Sequence, residues 1–107
     1  MSDIEKLKEE IAAFCSERDW DKFHTNKELA AAIAIEAAEL QDPFLWNRDA
    51  KPEKIREELA DIFIYALRMA ERNNLDVAEI VREKLSANAA KYPAEKCRGT
   101  AKKYKEL

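Results

Sequence analysis

A chain of 107 residues has room for one domain and buries only a modest share of its surface when it folds alone, so self-association is expected from the outset. One glycine and three prolines, against abundant Ala, Glu, Lys and Leu, exclude a turn-rich β fold and favour long helices. The formal charge of −3 comes from 22 acidic and 19 basic residues interspersed along the chain, which excludes the basic stripe of a nucleic-acid binder.

Ser2 with Glu5 makes a capping box ahead of Ile4, Leu7, Ile11 and Phe14, and predicts a first helix over about residues 3–18. Trp20 to Thr25 reads as a connection. Thr25 with Glu28 repeats the box and opens a second helix to about Gln41. Pro43 ends or kinks that helix near Asp42, leaving Phe44, Leu45 and Trp46 as an apolar loop or short continuation. Pro52 suits a first helical turn, and Ile55, Leu59, Ile62, Phe63, Ala66, Met69 and Ala70 carry a third helix to about Arg72, with Asn73 and Asn74 as its stop. Asp76 with Glu79 opens a fourth helix through Ile80, Val81 and Leu85 to about Asn88 or beyond. The pattern predicts an all-α chain, a four-helix bundle-type subunit built as a single domain over 1–107. Its core helices span about 3–92, and a basic tail over 93–107 carries Gly99, Lys102, Lys103 and Lys105.

Cys15 and Cys97 stand far apart with no neighbouring Cys or His partner, which argues against a zinc site or disulfide framework and suits a reducing cytoplasm. The N-terminus lacks the pattern of a signal peptide, and no apolar run approaches the ~20 residues that span a bilayer. A soluble, cytoplasmic protein with no membrane partner is expected.

The anomaly lies in the second helix. From Ala30 to Leu40 it is apolar on nearly every face except for Glu36 and Glu39, so it is expected to be mostly buried. Glu36 and Glu39 are three apart and share a face; Glu58 and Asp61 repeat the arrangement on the third helix. Carboxylates gathered against apolar surface repel one another, and an unpaired buried charge costs several kcal/mol. Ala and Ile surround Glu36 and Glu39, which leaves no local Lys or Arg to neutralise them, whereas a hard divalent ion would. All-oxygen ligation favours Mg2+, with Mn2+ as a substitute, over zinc or copper. A ferritin-like di-iron bundle requires Glu-x-x-His pairs, and the single histidine, His24, lies outside any such motif. Magnesium shares its shell with substrate phosphates, so the cluster points to phosphoryl chemistry.

With Glu36-Ala-Ala-Glu39 followed by Glu58-Leu-Ala-Asp61, the sequence resembles the MazG-type all-α nucleotide pyrophosphohydrolases, whose signature is E-x-x-E, a spacer, then E-x-x-D. It is most similar to the small branch that includes the dCTP pyrophosphatases, through Glu17-Arg18-Asp19-Trp20, Phe23-His24, Phe44-Leu45-Trp46, Lys91-Tyr92-Pro93, Arg98-Gly99 and Lys103-Tyr104. The resemblance implies hydrolysis of a nucleoside triphosphate, with pyrimidine deoxynucleotides such as dCTP as candidates, to the monophosphate and pyrophosphate. It implies a role in nucleotide-pool house-cleaning and assembly as a homodimer or homotetramer. Glu36, Glu39, Glu58 and Asp61 would then be both metal ligands and catalytic residues, any one of them free to take a proton from water.

The resemblance further assigns Lys84 and Asn88, which share a face of the fourth helix, to the phosphates, with Arg72 and Tyr92 as additional candidates. Trp20 and Trp46 match positions that line the base pocket, where an indole stacks on a nucleobase; the alternative is that both anchor loops. Tyr65 falls four after Asp61, on the same face, to touch phosphate or sugar or to pack in the core. Ile11 stands where some dCTP-preferring relatives carry a polar residue, which leaves the base open. Two other classes stand beside the enzyme: a non-catalytic helical module that binds nucleotide or metal, and a structural oligomer whose carboxylates pair with Lys or Arg of another subunit.

Overall fold

Three side-chain caps punctuate the chain where the capping boxes predict them. The Ser2 hydroxyl accepts the Glu5 N–H at 3.2 Å, the Thr25 hydroxyl accepts that of Glu28 at 3.2 Å, and the Asp76 carboxylate accepts that of Glu79 at 3.0 Å. The computed structural model describes residues 1–102 and 104–106, Tyr104 by its backbone alone. Lys103, one half of the Lys103-Tyr104 pair, therefore lies outside the described residues. Among the described residues there is no strand, and the chain divides into two compact units, Met1–Leu75 and Asp76–Leu107.

In the first unit, α1 spans Asp3–Glu17, a 3-10 turn occupies Asp21–Phe23, and α2 spans Asn26–Glu39. The second helix stops short of the expected Gln41, because Gln41 already caps a 3-10 stretch over Asp42–Asn47. That stretch is kinked: Leu45 is extended (φ −59, ψ 145) and Trp46 is left-handed (φ 64, ψ 34). Pro43, which lacks an N–H donor, breaks the helix, and the chain turns at Trp46 before α3 begins on Pro52. Helix α3 runs Pro52–Arg72, capped by Asn73, and Asn74 takes the left-handed conformation (φ 54) that asparagine tolerates.

Helix α3 packs against both α1 and α2. Among the described residues, Leu29, Cys15 and Ala70 are the buried apolar side chains, and Lys8, Glu58 and Arg68 are buried as well. The Lys8 ammonium donates to the Leu75 carbonyl at 2.8 Å, which ties α1 to the segment following α3. The expectation that the second helix is mostly buried does not hold within this chain. In α2 only Leu29 is buried, and Ile35 is 58% exposed. Helix α3 covers one side of α2, and most of the alanine positions on the remainder of α2 are exposed.

In the second unit, α4 spans Val77–Lys91 and so continues past Asn88. Pro93 then precedes α5, Ala94–Cys97, a short helix within what the sequence suggests is only a polar tail. Gly99 follows with φ 77, a left-handed conformation that glycine adopts without strain. No helix is long and apolar enough to cross a membrane among the described residues.

Candidate metal centre

Glu36 on α2 meets Glu58 and Asp61 on α3. One carboxylate oxygen from each lies within 4.8 Å of the other two. The Glu58 side chain is buried and Asp61 is exposed, so the cluster opens to solvent on the aspartate side. One oxygen of Glu36 and one of Glu58, both Oε2, are fully buried without a hydrogen-bond partner among the described residues. An orphaned buried carboxylate oxygen carries its full desolvation cost, which a cation held by the cluster would offset. Burial pushes the Glu36 carboxyl above its ordinary range, and the neighbouring Glu39, Asp61 and Glu58 push it further the same way. An all-oxygen, partly open set of this kind fits a hard divalent ion.

Glu39 stands outside the converging trio, exposed, yet close enough to raise Glu36. A protein cation that the sequence reading missed is also present. The Lys54 ammonium lies 3.3 Å from Glu58 Oε1 and 3.6 Å from Glu57 Oε2, and the Glu58 contact raises its pKa. Spacing alone could have found it, since Lys54 and Glu58 are four apart on α3. It touches only one of the three carboxylates and leaves the orphaned oxygens unsatisfied.

A cavity of about 180 Å3 adjoins the cluster through Asp61, and Phe14, Trp20, His24, Tyr65 and Arg68 also line it. Trp20 meets Phe14 edge to face, with centroids 5.8 Å apart. Burial pushes the Tyr65 hydroxyl pKa up, assisted by the charges of Glu36 and Asp61. The structure thus brings Trp20, Asp61 and Tyr65, each named separately from the sequence, to the lining of one cavity, together with Arg68, which the sequence reading did not single out. That arginine is 2% exposed; its Nε donates to His24 Nδ1 at 2.9 Å, its Nη1 to Glu71 at 2.7 Å, and its Nη2 to Asp21. The available signal was an arginine inside an apolar run, three after Tyr65 and seven after Asp61, on their face of the helix.

The remaining predicted residues lie elsewhere. Trp46 is 88% exposed and Arg72 reaches the Asp21 carbonyl at 3.4 Å; neither lines the cavity. In the second unit, Lys84 and Asn88 line one shallow groove with Ile80, Val81 and Leu85, and Tyr92 is the C-cap of α4.

The model of the MazG-like family matches residues 31–107, from α2 through the carboxylate pairs to the C-terminus. The chain belongs to the MazG-like family. Two curated relatives, dCTP pyrophosphatase 1 of Rattus norvegicus and of Homo sapiens, are 36% and 35% identical to this MazG-like chain. Their alignments cover all of it and 67% of each relative. Among solved structures, a pyrophosphatase from Archaeoglobus fulgidus superposes with a TM-score of 0.81 at 33% identity, covering 87% of this chain and 94% of that one.

Proposed function

We propose that this MazG-like protein is a magnesium-dependent nucleoside triphosphate pyrophosphohydrolase. It cleaves between the α and β phosphates to release monophosphate and pyrophosphate, acts on pyrimidine deoxynucleotides such as dCTP, and serves house-cleaning of the nucleotide pool. The observation that carries the reading is the convergence of Glu36, Glu58 and Asp61, with two buried oxygens left unpartnered among the described residues. Glu36, Glu58 and Asp61 would hold the ion, with Glu39 completing the acidic set. Bound there, magnesium supplies neutralisation of the triphosphate and a lowered pKa for an attacking water. The Glu39 carboxylate, exposed and outside the trio, accepts the water's proton.

The cavity beside Asp61 receives the base, with Trp20 as its aromatic wall and Tyr65 at the boundary with the carboxylates. Trp46 contributes a second aromatic surface; its left-handed backbone and near-complete exposure are what a non-glycine residue retains when a function requires its placement. Lys84 and Asn88, supported by their shared groove, together with Arg72 and Tyr92, are assigned to the phosphates by the family pattern.

The working form is a homodimer or homotetramer. Support comes from the apolar groove of about 420 Å3 on the first unit, lined by Leu7, Ile11, Phe14, Phe63, Ile64 and Leu67, and from the outward face of α2. The whole chain is read as one domain, since the family match runs through both units. The test is incubation with each ribo- and deoxynucleoside triphosphate, with and without Mg2+, resolving monophosphate, diphosphate, pyrophosphate and orthophosphate. Magnesium-dependent monophosphate plus pyrophosphate, lost in Glu39→Gln, is expected. Orthophosphate would indicate a phosphatase, and no turnover by folded protein a binding module.

A further inference from the structure

We propose that Lys54 is a positioning residue of the carboxylate centre: it holds Glu58 until a divalent ion takes that carboxylate, and then passes to Glu57. The proposal rests on the metal-dependent reading above and gives a role to two side chains outside the four carboxylates. The Lys54 ammonium stands between two neighbours on α3, 3.3 Å from Glu58 Oε1 and 3.6 Å from Glu57 Oε2. Their surroundings differ. The Glu58 side chain is 11% exposed and belongs to the converging trio, whereas that of Glu57 is 71% exposed and does not. The ammonium therefore has within reach one partner that an ion would claim and one that it would not.

Several features make Lys54 ready to yield. It is the third residue of α3, in the first turn, where the positive end of the helix dipole disfavours a cation. A lysine four residues before its glutamate is also the weaker order for such a pair on a helix. The side chain is half exposed, so solvent screens its attraction to Glu58. A doubly charged ion at Glu58 repels the ammonium at short range beside a buried carboxylate. The flexible four-carbon stem lets the ammonium turn to Glu57, where it stays paired in water.

Held by Lys54, Glu58 keeps its place in the trio, and part of its repulsion with Glu36 and Asp61 is offset. Ion binding is then an exchange of cations at one carboxylate, and its affinity depends on how well Glu57 receives the lysine. That dependence has a sign and a condition. Removing the Glu57 charge should weaken ion binding, and only while Lys54 is there to be received.

Titration calorimetry with Mn2+ alone reads the exchange on the full chain, without turnover, in wild type, Glu57→Gln, Lys54→Met and the double variant. About 0.15 M salt screens charges more than a Debye length from the ion. Glu57→Gln should weaken Mn2+ binding by about 2- to 5-fold, the worth of one exposed ion pair, and should have little or no effect in the Lys54→Met background. Helical circular dichroism establishes that each variant is folded. A crystal structure with Mn2+ should place the ammonium on Glu57, out of ion-pair reach of Glu58.

A Glu57→Gln effect that is absent in wild type, or as large without Lys54 as with it, would overturn the proposal, because Glu57 would then be an ordinary surface charge. So would an ammonium that stays on Glu58 in the Mn2+ complex. Wild-type protein that binds no Mn2+ would overturn the metal-dependent reading itself, and the exchange with it.

Discussion

Lys54 and Glu58 lie one turn apart on α3, and the ammonium reaches to 3.3 Å of one carboxylate oxygen while the other, buried, oxygen has no hydrogen-bond partner among the described residues. The lysine is half exposed and competes with any ion for the same carboxylate. Lys54→Met is therefore expected to tighten binding of Mn2+ several-fold, read by titration calorimetry. An unchanged affinity would mean that Lys54 swings clear at no cost and has no hold on the site.

Replacing Glu36 separates the two consequences of crowding like charges. Without metal, Glu36→Gln removes a carboxylate that its neighbours and its burial disfavour, so thermal stability should hold or rise. With metal and nucleotide, turnover should fall on the order of a hundredfold or more, since an ion is worth several kcal/mol of transition-state stabilisation. A stability loss in the metal-free protein would show instead that Glu36 has a structural partner.

The pH dependence of stability carries a signature of His24. Its pKa lies below the ordinary 6.5, mainly through burial. Below pH 6.5 the unfolded chain takes up a proton that the folded chain does not, so the unfolded state binds more protons and stability falls with falling pH. The contribution is complete above about 6.5 and is lost as pH drops through the folded value. Asp21, held below its usual range by the Ser16 hydroxyl and then by Arg68, adds a further loss at lower pH. His24→Asn should flatten the upper part of this profile in thermal melts between about pH 7 and 5 while leaving the lower part.

What the sequence reveals of this molecule follows the range of the interactions. Ser2, Thr25 and Asp76 cap their helices through contacts three residues long, so the helix starts were readable, and the i, i+3 spacing drew attention to Glu36, Glu58 and Asp61, which the structure brings together, and to Glu39, which stands outside their trio. The Arg68 network was not, because His24 and Asp21 lie 44 and 47 residues away, and no local pattern announces that a buried arginine will find them. The outward face of α2 escaped for a different reason. Its apolar composition led to an expectation of burial that the structure does not bear out, because composition does not say whether a covering surface exists; the homo-oligomer proposed above would supply one.

That last point predicts an assembly defect. Phe63 is 57% exposed and lines the apolar groove formed with Leu7, Ile11 and Phe14. Phe63→Asp should lower the sedimentation mass by at least half while leaving helical circular dichroism in place. A wild-type protein that sediments as a monomer at micromolar concentration would sink the oligomer reading.

Trp46 offers a trade between stability and binding. A left-handed backbone at a bulky residue costs about 1–2 kcal/mol, and with 88% of its surface exposed the indole recovers little of that by packing within the chain. Asparagine tolerates the conformation, as Asn47 does beside it with φ 59. Trp46→Asn should therefore raise the stability of dissociated protein by up to about 1 kcal/mol in urea titrations. If the indole stacks on the nucleobase, the same change should raise KM for deoxynucleoside triphosphates by roughly 5- to 150-fold, the worth of one stacked base, and leave tripolyphosphate binding untouched. A variant that gains stability without losing nucleotide affinity would show that the exposed tryptophan serves subunit contact and not substrate.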